Sequence, residues 1–123
     1  MQWNEDQLKM FEESKTLTIK PFNPDLKIFE EVSPIWEVVV DGKVYSRGWN
    51  GQKTKWYHAA VTQQSGEIEI ESHDFDVEFK SVTDETLIKK ITAAYKNKYT
   101  GESSLERMIS DEPAHGAIQV LPR

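Results

Sequence analysis

The 123 residues include no cysteine. That absence removes disulfides, thiolate metal sites and thiol nucleophiles together, and it agrees with a reducing cytoplasm. No apolar run approaches the roughly 18 residues that a membrane-spanning helix needs, so no membrane association is expected. The opening residues, Met1-Gln2-Trp3-Asn4-Glu5-Asp6, lack the basic flank and apolar stretch of a secretory signal. A cytoplasmic location is the expectation. Several chemical signatures are missing as well. There is no Walker loop, no GxGxxG dinucleotide fingerprint and no glycine-flanked serine elbow, and His58, His73 and His115 show no partner pattern. These absences argue against nucleophilic catalysis. Hydrolysis by paired carboxylates stays open, because spatial pairing of acids cannot be read from spacing.

Charge narrows the classes further. The net charge of −6 opposes general binding to a phosphate backbone, so nucleic acid is not an expected partner. The acids are unevenly spread, however. None occurs between Asp41 and Glu67, a window of 25 residues that contains Lys43, Arg47, Lys53 and Lys55. At the chain's average composition about four acids would fall there. A local positive patch and a solvated basic loop are both compatible with this window. The length fits one domain, residues 1–123, able to bury a core without covalent staples.

Patterning supplies the elements. Trp3, Asn4, Gln7 and Leu8 occupy the positions of a hydrophobic staple, an N-cap, a capping-box partner and the staple's second half, which predicts an N-terminal helix. Packing accounts for Trp3 without a ligand. Leu17 and Ile19 alternate with Thr16, Thr18 and Lys20 as in a half-buried strand, which Pro21 and Pro24 break. From Ile35 to Val40 and from Lys43 to Arg47 two strand-like runs flank Asp41-Gly42, the strongest short hairpin signal, because a type I′ turn needs positive φ at both central residues. That register sets Val40 opposite Lys43, Val38 opposite Tyr45 and Trp36 opposite Arg47. A second hairpin is predicted from the alternation in Glu67-Ile68-Glu69-Ile70-Glu71 and in Phe75, Val77 and Phe79, with His73 and Asp74 in its turn. Its acidic face reads as solvated, since carboxylates two apart on a strand splay without converging, and no metal is expected. Thr83-Asp84-Glu85 opens a helix carrying Leu87, Ile88, Ile91, Ala94, Tyr95 and Tyr99 at helical spacing, closed by Gly101. The stretch from Met108 is expected to be a loop that leads to a last strand, Ala117 to Leu121.

One segment concentrates binding chemistry. Arg47 follows an aromatic strand, and a guanidinium there must stack on a ring, find a carboxylate or meet an anionic ligand. Gly48-Trp49-Asn50-Gly51 lets the backbone turn and present N–H groups, and Lys53-Thr54-Lys55-Trp56-Tyr57 adds two ammonium groups and two rings. Consecutive N–H donors, an Arg fork and two lysines suit a small anionic or phosphorylated ligand. With no strong acid, base or metal site in view, chemistry here would rest on a bound cofactor.

The Ile35–Arg47 run, the Gly51–Tyr57 segment, Ala94-Tyr95-Lys96-Asn97-Lys98-Tyr99 and the closing Leu121-Pro122-Arg123 resemble an uncharacterised bacterial family of domains of unknown function. That family in turn resembles the pyridoxamine-phosphate-oxidase-like split barrels, including the deazaflavin-dependent nitroreductase relatives. The resemblance spans residues 3–123. It implies a mainly β (α+β) fold, a small antiparallel split β-barrel with flanking helices, in a homodimer that holds FMN or a deazaflavin at the subunit interface. By position, Arg47, Lys53 and Lys55 match the basic residues that hold the flavin phosphate, while Trp49, Trp56 and Tyr57 would cover the ring. Asn50 and Gly51 complete the expected cofactor-binding set. The Thr/Ser-rich phosphate loop of those flavoproteins is here Gly48-Trp49-Asn50-Gly51-Gln52. A flavin-dependent oxidoreductase of unassigned substrate is the first expectation. A cofactor-free ligand-binding or dimeric interaction module is the alternative.

Overall fold

Asp41 and Gly42 both take positive φ, 51° and 76°, so the predicted type I′ turn forms and sets the register expected of it. Strands β3 (Val38–Val40) and β4 (Lys43–Arg47) pair antiparallel, with Val38 opposite Tyr45 and Val40 opposite Lys43. These residues belong to a computed structural model that describes residues 2–22 and 32–123. Pro24, expected to end the first strand, lies outside the described residues. Within them no helix is long and apolar enough to cross a membrane.

Seven strands form one antiparallel sheet. Strand β1 (Leu17–Pro21), β2 (Ser33–Ile35), β5 (Ser65–Ile70), β6 (His73–Ser81) and β7 (Ala117–Pro122) join the hairpin in the order β2-β1-β5-β6-β7-β4-β3. The sheet curls into a half-barrel with flanking helices, the split-barrel architecture that the sequence leads one to expect. Its concave face carries Leu17, Ile19, Val44, Ile68, Val77, Phe79, Ile118 and Val120. Trp3 and Phe11 from the first helix, α1 (Glu5–Glu13), close over them with Trp56, Tyr57 and Ala60 from α2 (Lys55–Gln63). Alternation puts Val38, Tyr45 and Ala117 on the opposite face, against Ile88, Ile91 and Tyr95 of α3 (Glu85–Lys98) and its C-cap, Tyr99.

Local signals account for most element boundaries. The Asn4 side chain accepts from the Gln7 amide while the Gln7 side chain accepts from the Asn4 amide, the reciprocal capping box predicted for α1. Trp3 is buried as a packing residue, and its indole N–H donates to the Val120 carbonyl at 2.9 Å. Asp84 caps α3 by accepting from the Thr86 amide.

Four expectations are corrected. Ile35 to Val40 is not one strand: it breaks at Trp36-Glu37, because β2 pairs with β1 whereas β3 pairs with β4. The β3–β4 ladder therefore stops before Trp36 reaches Arg47. The turn of the second hairpin is Glu71-Ser72, both at positive φ, and His73 and Asp74 already belong to β6. Lys55, Trp56 and Tyr57, read from the sequence as the end of a loop, instead open the helix α2 (Lys55–Gln63), with Trp56 and Ala60 one turn apart on the buried face. The stretch after Met108 is not all loop: α4 (Leu105–Met108) ends there, and α5 (Asp111–Ala114) forms a single helical turn before β7.

Candidate functional site

Arg47 ends β4, on the face turned toward α3, and is 1% exposed. Its Nη2 donates to the Ile88 carbonyl at 2.8 Å and to Thr92 Oγ1, and its Nη1 donates to the Met108 carbonyl at 3.2 Å. The guanidinium carbon lies 5.3 Å from the centre of the Tyr95 ring, whose hydroxyl accepts from the Arg47 amide. Of the three outcomes open to this cation from the sequence, ring stacking is therefore met, with Tyr95 in the place of Trp36. Burial pulls the guanidinium below its ordinary pKa, yet arginine stays protonated in proteins. Its Nε has no hydrogen-bond partner among the described residues.

Arg47 also lines a cavity of about 340 Å³. Three indoles share that lining, from Trp36, Trp49 and Trp56, together with Thr54 and Met108. Ser33, Pro34 and Ile35 from β2, and Ser104 just before α4, complete it. Each tryptophan is placed by a different element. Trp36 stacks face to face on Tyr99 of α3, with centroids 4.0 Å apart and planes 3° apart, and its carbonyl accepts from Ser46 Oγ. Trp56 is buried in the first turn of α2. Trp49 sits on the loop after β4 under the Arg107 guanidinium at 5.6 Å, while Arg107 Nε donates to the Trp49 carbonyl.

The loop is held by close backbone approach. Gly48 donates to the Gly116 carbonyl, and a Cβ on Gly116 would collide with the Gly51 backbone. Gly51, at φ 60°, packs on Glu112, whose carboxylate pairs with Arg107 at 2.7 Å. Hence the acid-free window does not stay free of acids in three dimensions.

The expected site residues separate into two groups. Arg47, Trp49 and Trp56 come together around the cavity. Asn50 and Gly51 shape its loop, Asn50 as the N-cap and Gly51 as the first residue of the 3-10 turn Gly51–Lys53. Lys53 and Lys55 are exposed on either side of Thr54, at the start of α2, and do not line the cavity. Tyr57 packs into the concave core instead. Sequence reasoning missed Trp36 and Thr54 as cavity residues and Tyr95 as the ring under Arg47. The helical spacing of Tyr95 and Tyr99 indicated burial without indicating what would pack on them.

A separate ionisable cluster lies behind Trp36. Glu37 is fully buried, and its Oε1 accepts from Lys98 Nζ at 2.6 Å while Oε2 has no partner among the described residues. Lys98 also donates to the carbonyls of Phe11 and Glu37. Burial pushes the Glu37 carboxyl up to about 8, against the pull of Lys98.

The family described as "Uncharacterized protein conserved in bacteria (DUF2255)" matches residues 7–120. No curated protein matches the chain. Among solved structures, the fold is similar to the conserved hypothetical protein Rv2991 of Mycobacterium tuberculosis, with a TM-score of 0.74 at 15% identity, covering 100% of this chain and 82% of that one. It is also similar to a Listeria innocua protein provisionally assigned as a pyridoxamine 5′-phosphate oxidase, with a TM-score of 0.68 at 12% identity over 97% of this chain and 92% of that one. A third similar structure is a provisionally assigned 5-nitroimidazole antibiotic resistance protein of Bacteroides thetaiotaomicron VPI-5482. Its TM-score is 0.64 at 8% identity, covering 97% of this chain and 79% of that one. At such identities these likenesses concern the fold.

Proposed function

Since the chain belongs to this family of uncharacterized proteins conserved in bacteria, whose fold here is the split barrel, we propose that its tryptophan-walled cavity holds the ring of a flavin-type cofactor. On this reading the protein is an oxidoreductase working through FMN or a deazaflavin. One observation carries the reading: three indoles and a buried arginine line the same cavity. The cavity volume of about 340 Å³ falls among ordinary ligand pockets, which run from roughly 300 to 1,000 Å³. Flat apolar walls suit a planar heteroaromatic ring.

The residues divide the work. Trp36, Trp49 and Trp56 would pack on the ring and keep water from it. Arg47 would set a positive charge behind the cavity wall. Lys53 and Lys55 flank Thr54, the N-cap of α2, whose side chain makes no capping bond. An anionic tail there would meet two ammonium groups and the positive end of the helix. When bound, such a cofactor supplies hydride acceptance and return.

The test begins with an absorbance spectrum of the purified protein, followed by titration with FMN and with a deazaflavin while tryptophan emission is recorded. Quenching is expected, because the indoles line the cavity. A colourless protein with neither quenching nor a visible absorbance change on titration overturns the reading.

A second reading is favoured by one observation. Trp49 and Val32 are the exposed large hydrophobic residues among those described, at 47% and 55%, and both adjoin the cavity, Val32 through its neighbour Ser33. Such a surface suits contact with a second copy of the chain. Sedimentation of Trp49→Ala is expected to show a shift toward monomer. An unchanged sedimentation coefficient removes Trp49 from any dimer contact.

A further inference from the structure

Trp36 and Glu37 leave the sheet between β2 and β3, and side chains from the end of α3 answer the polar groups they take with them. The Glu37 amide donates to the Tyr99 hydroxyl at 3.0 Å, and the Glu37 carbonyl accepts from Lys98 Nζ at 2.8 Å. The same Nζ donates to the Glu37 carboxylate at 2.6 Å and to the Phe11 carbonyl at 2.9 Å. One residue back, the Trp36 carbonyl accepts from Ser46 Oγ and from the Tyr95 hydroxyl, and the Trp36 ring lies on Tyr99. That ring also lines the tryptophan-walled cavity. Hence the ion pair that holds Glu37 also holds the tryptophan beside it.

The pair has two arrangements open to it. Glu37 is fully buried, whereas Lys98, its side chain 15% exposed, lines a second cavity of about 310 Å³ between α1, β3 and α3. With the carboxylate ionised, the ammonium has a counter-charge and stays inside. With the carboxyl protonated, the ammonium faces uncharged groups alone, and turning outward on its flexible stem returns it to water. That movement gives up the bond to the Glu37 carbonyl. We propose that proton uptake by Glu37 releases Lys98 into the second cavity and loosens Trp36, so that the tryptophan-walled cavity is fully formed only while the pair is ionised. The bistable element is the Lys98 side chain, and the proton is the ligand that biases it. The identity of any molecule in the tryptophan-walled cavity does not enter.

Glu37 is the buried group that changes charge here. Tyr95 and Tyr99 also face it, and burial pushes both hydroxyls far above their ordinary range, so they stay protonated. Arg47, from β4, stacks on Tyr95 and keeps its charge. Strands β2 and β3 contain no ionisable residue. Glu12 and Lys15 near the end of α1, and Glu102 beyond α3, are exposed and act through water.

The test reads Trp36 directly. Labelling with 5-fluorotryptophan gives each tryptophan its own fluorine line, and the line missing from Trp36→Phe is that of Trp36. In the wild-type chain this line is expected to shift with pH around a midpoint near 8, coinciding with the midpoint of the carbon-13 signal of the Glu37 carboxyl. Its solvent isotope shift between light and heavy water is expected to grow on the acid side, as water reaches the loosened ring. Glu37→Gln, which cannot ionise, is expected to keep the line at its acid-side position at every pH. A Trp36 line that stays fixed while the Glu37 carbon titrates overturns the switch, as does a Glu37 carbon that does not titrate in the folded chain. A Trp36 shift that survives in Glu37→Gln has the same force. Where that variant fails to fold, the wild-type chain decides: coincident midpoints support the switch and separate ones overturn it.

Discussion

Replacing Arg47 by alanine is expected to cost about 3 kcal/mol or more of folding stability, read as a lower urea midpoint at unchanged slope. The side chain joins three elements. From the end of β4 it reaches the Ile88 carbonyl and the Thr92 hydroxyl on α3 and the Met108 carbonyl on α4. Truncation removes those bonds together, takes a donor from buried carbonyls and leaves a void at the wall of the cavity. Arg47→Met separates the contributions, because it keeps most of the stem's volume and loses only the guanidinium. The methionine variant is expected to recover part of the loss. If both variants stay within about 0.5 kcal/mol of wild type, then the cost of burying the charge cancels what its bonds return.

Lys98→Met is expected to be comparably severe, with a distinct pH signature. Removing one partner of a buried ion pair costs about 3–5 kcal/mol where the remaining group is ionised and has no counterpart, a cost met in full only at the pH values where the carboxyl is charged. Here the remaining group is Glu37, fully buried, with one oxygen unpartnered among the described residues. In the wild-type protein burial moves its carboxyl from 4.5 up to about 8. Between those values the folded chain keeps a proton that the unfolded chain has released. Glu37's contribution to stability therefore falls as pH rises through that window. Without Lys98 nothing holds the carboxyl down, so the fall continues to higher pH and the loss in the variant grows from pH 6 to pH 9. Urea unfolding at those two pH values measures it. Adding Glu37→Gln to the variant should remove most of the pH dependence, and a loss that is the same at both pH values would argue against a titrating Glu37.

The hairpin shows how far residue types alone reach. Asp41-Gly42 carries the conformational requirement of its turn in two residues, and a two-residue turn leaves no freedom of register, so Val38 opposite Tyr45 follows directly. The same holds for the Asn4–Gln7 capping box and the Glu67–Ile70 alternation, where the signal and the structure it encodes lie within a few residues of each other. Trp36-Glu37 marks the limit. Locally they continue a strand, but they leave the sheet because Tyr99 stacks on the indole and Lys98 meets the carboxylate from a helix some 60 residues away, as the separation of 61 between Lys98 and Glu37 records.

The 25-residue stretch without Asp or Glu led to the right neighbourhood but not to its arrangement. Composition determined that cations and rings would be concentrated between Arg47 and Tyr57, and local pattern determined the hairpin that delivers Arg47. Which of those residues meet was decided by tertiary structure. The curl of the sheet and the approach of α3 and α4 buried Arg47 on Tyr95, drew in Trp36 from eleven positions upstream, and turned Tyr57 into the core on the helix that leaves Lys53 and Lys55 outside. The physical reason is range. A turn or cap is settled by φ and by hydrogen bonds within four or five residues, whereas a cavity wall depends on which distant surfaces bury each other, and no short stretch of sequence carries that information.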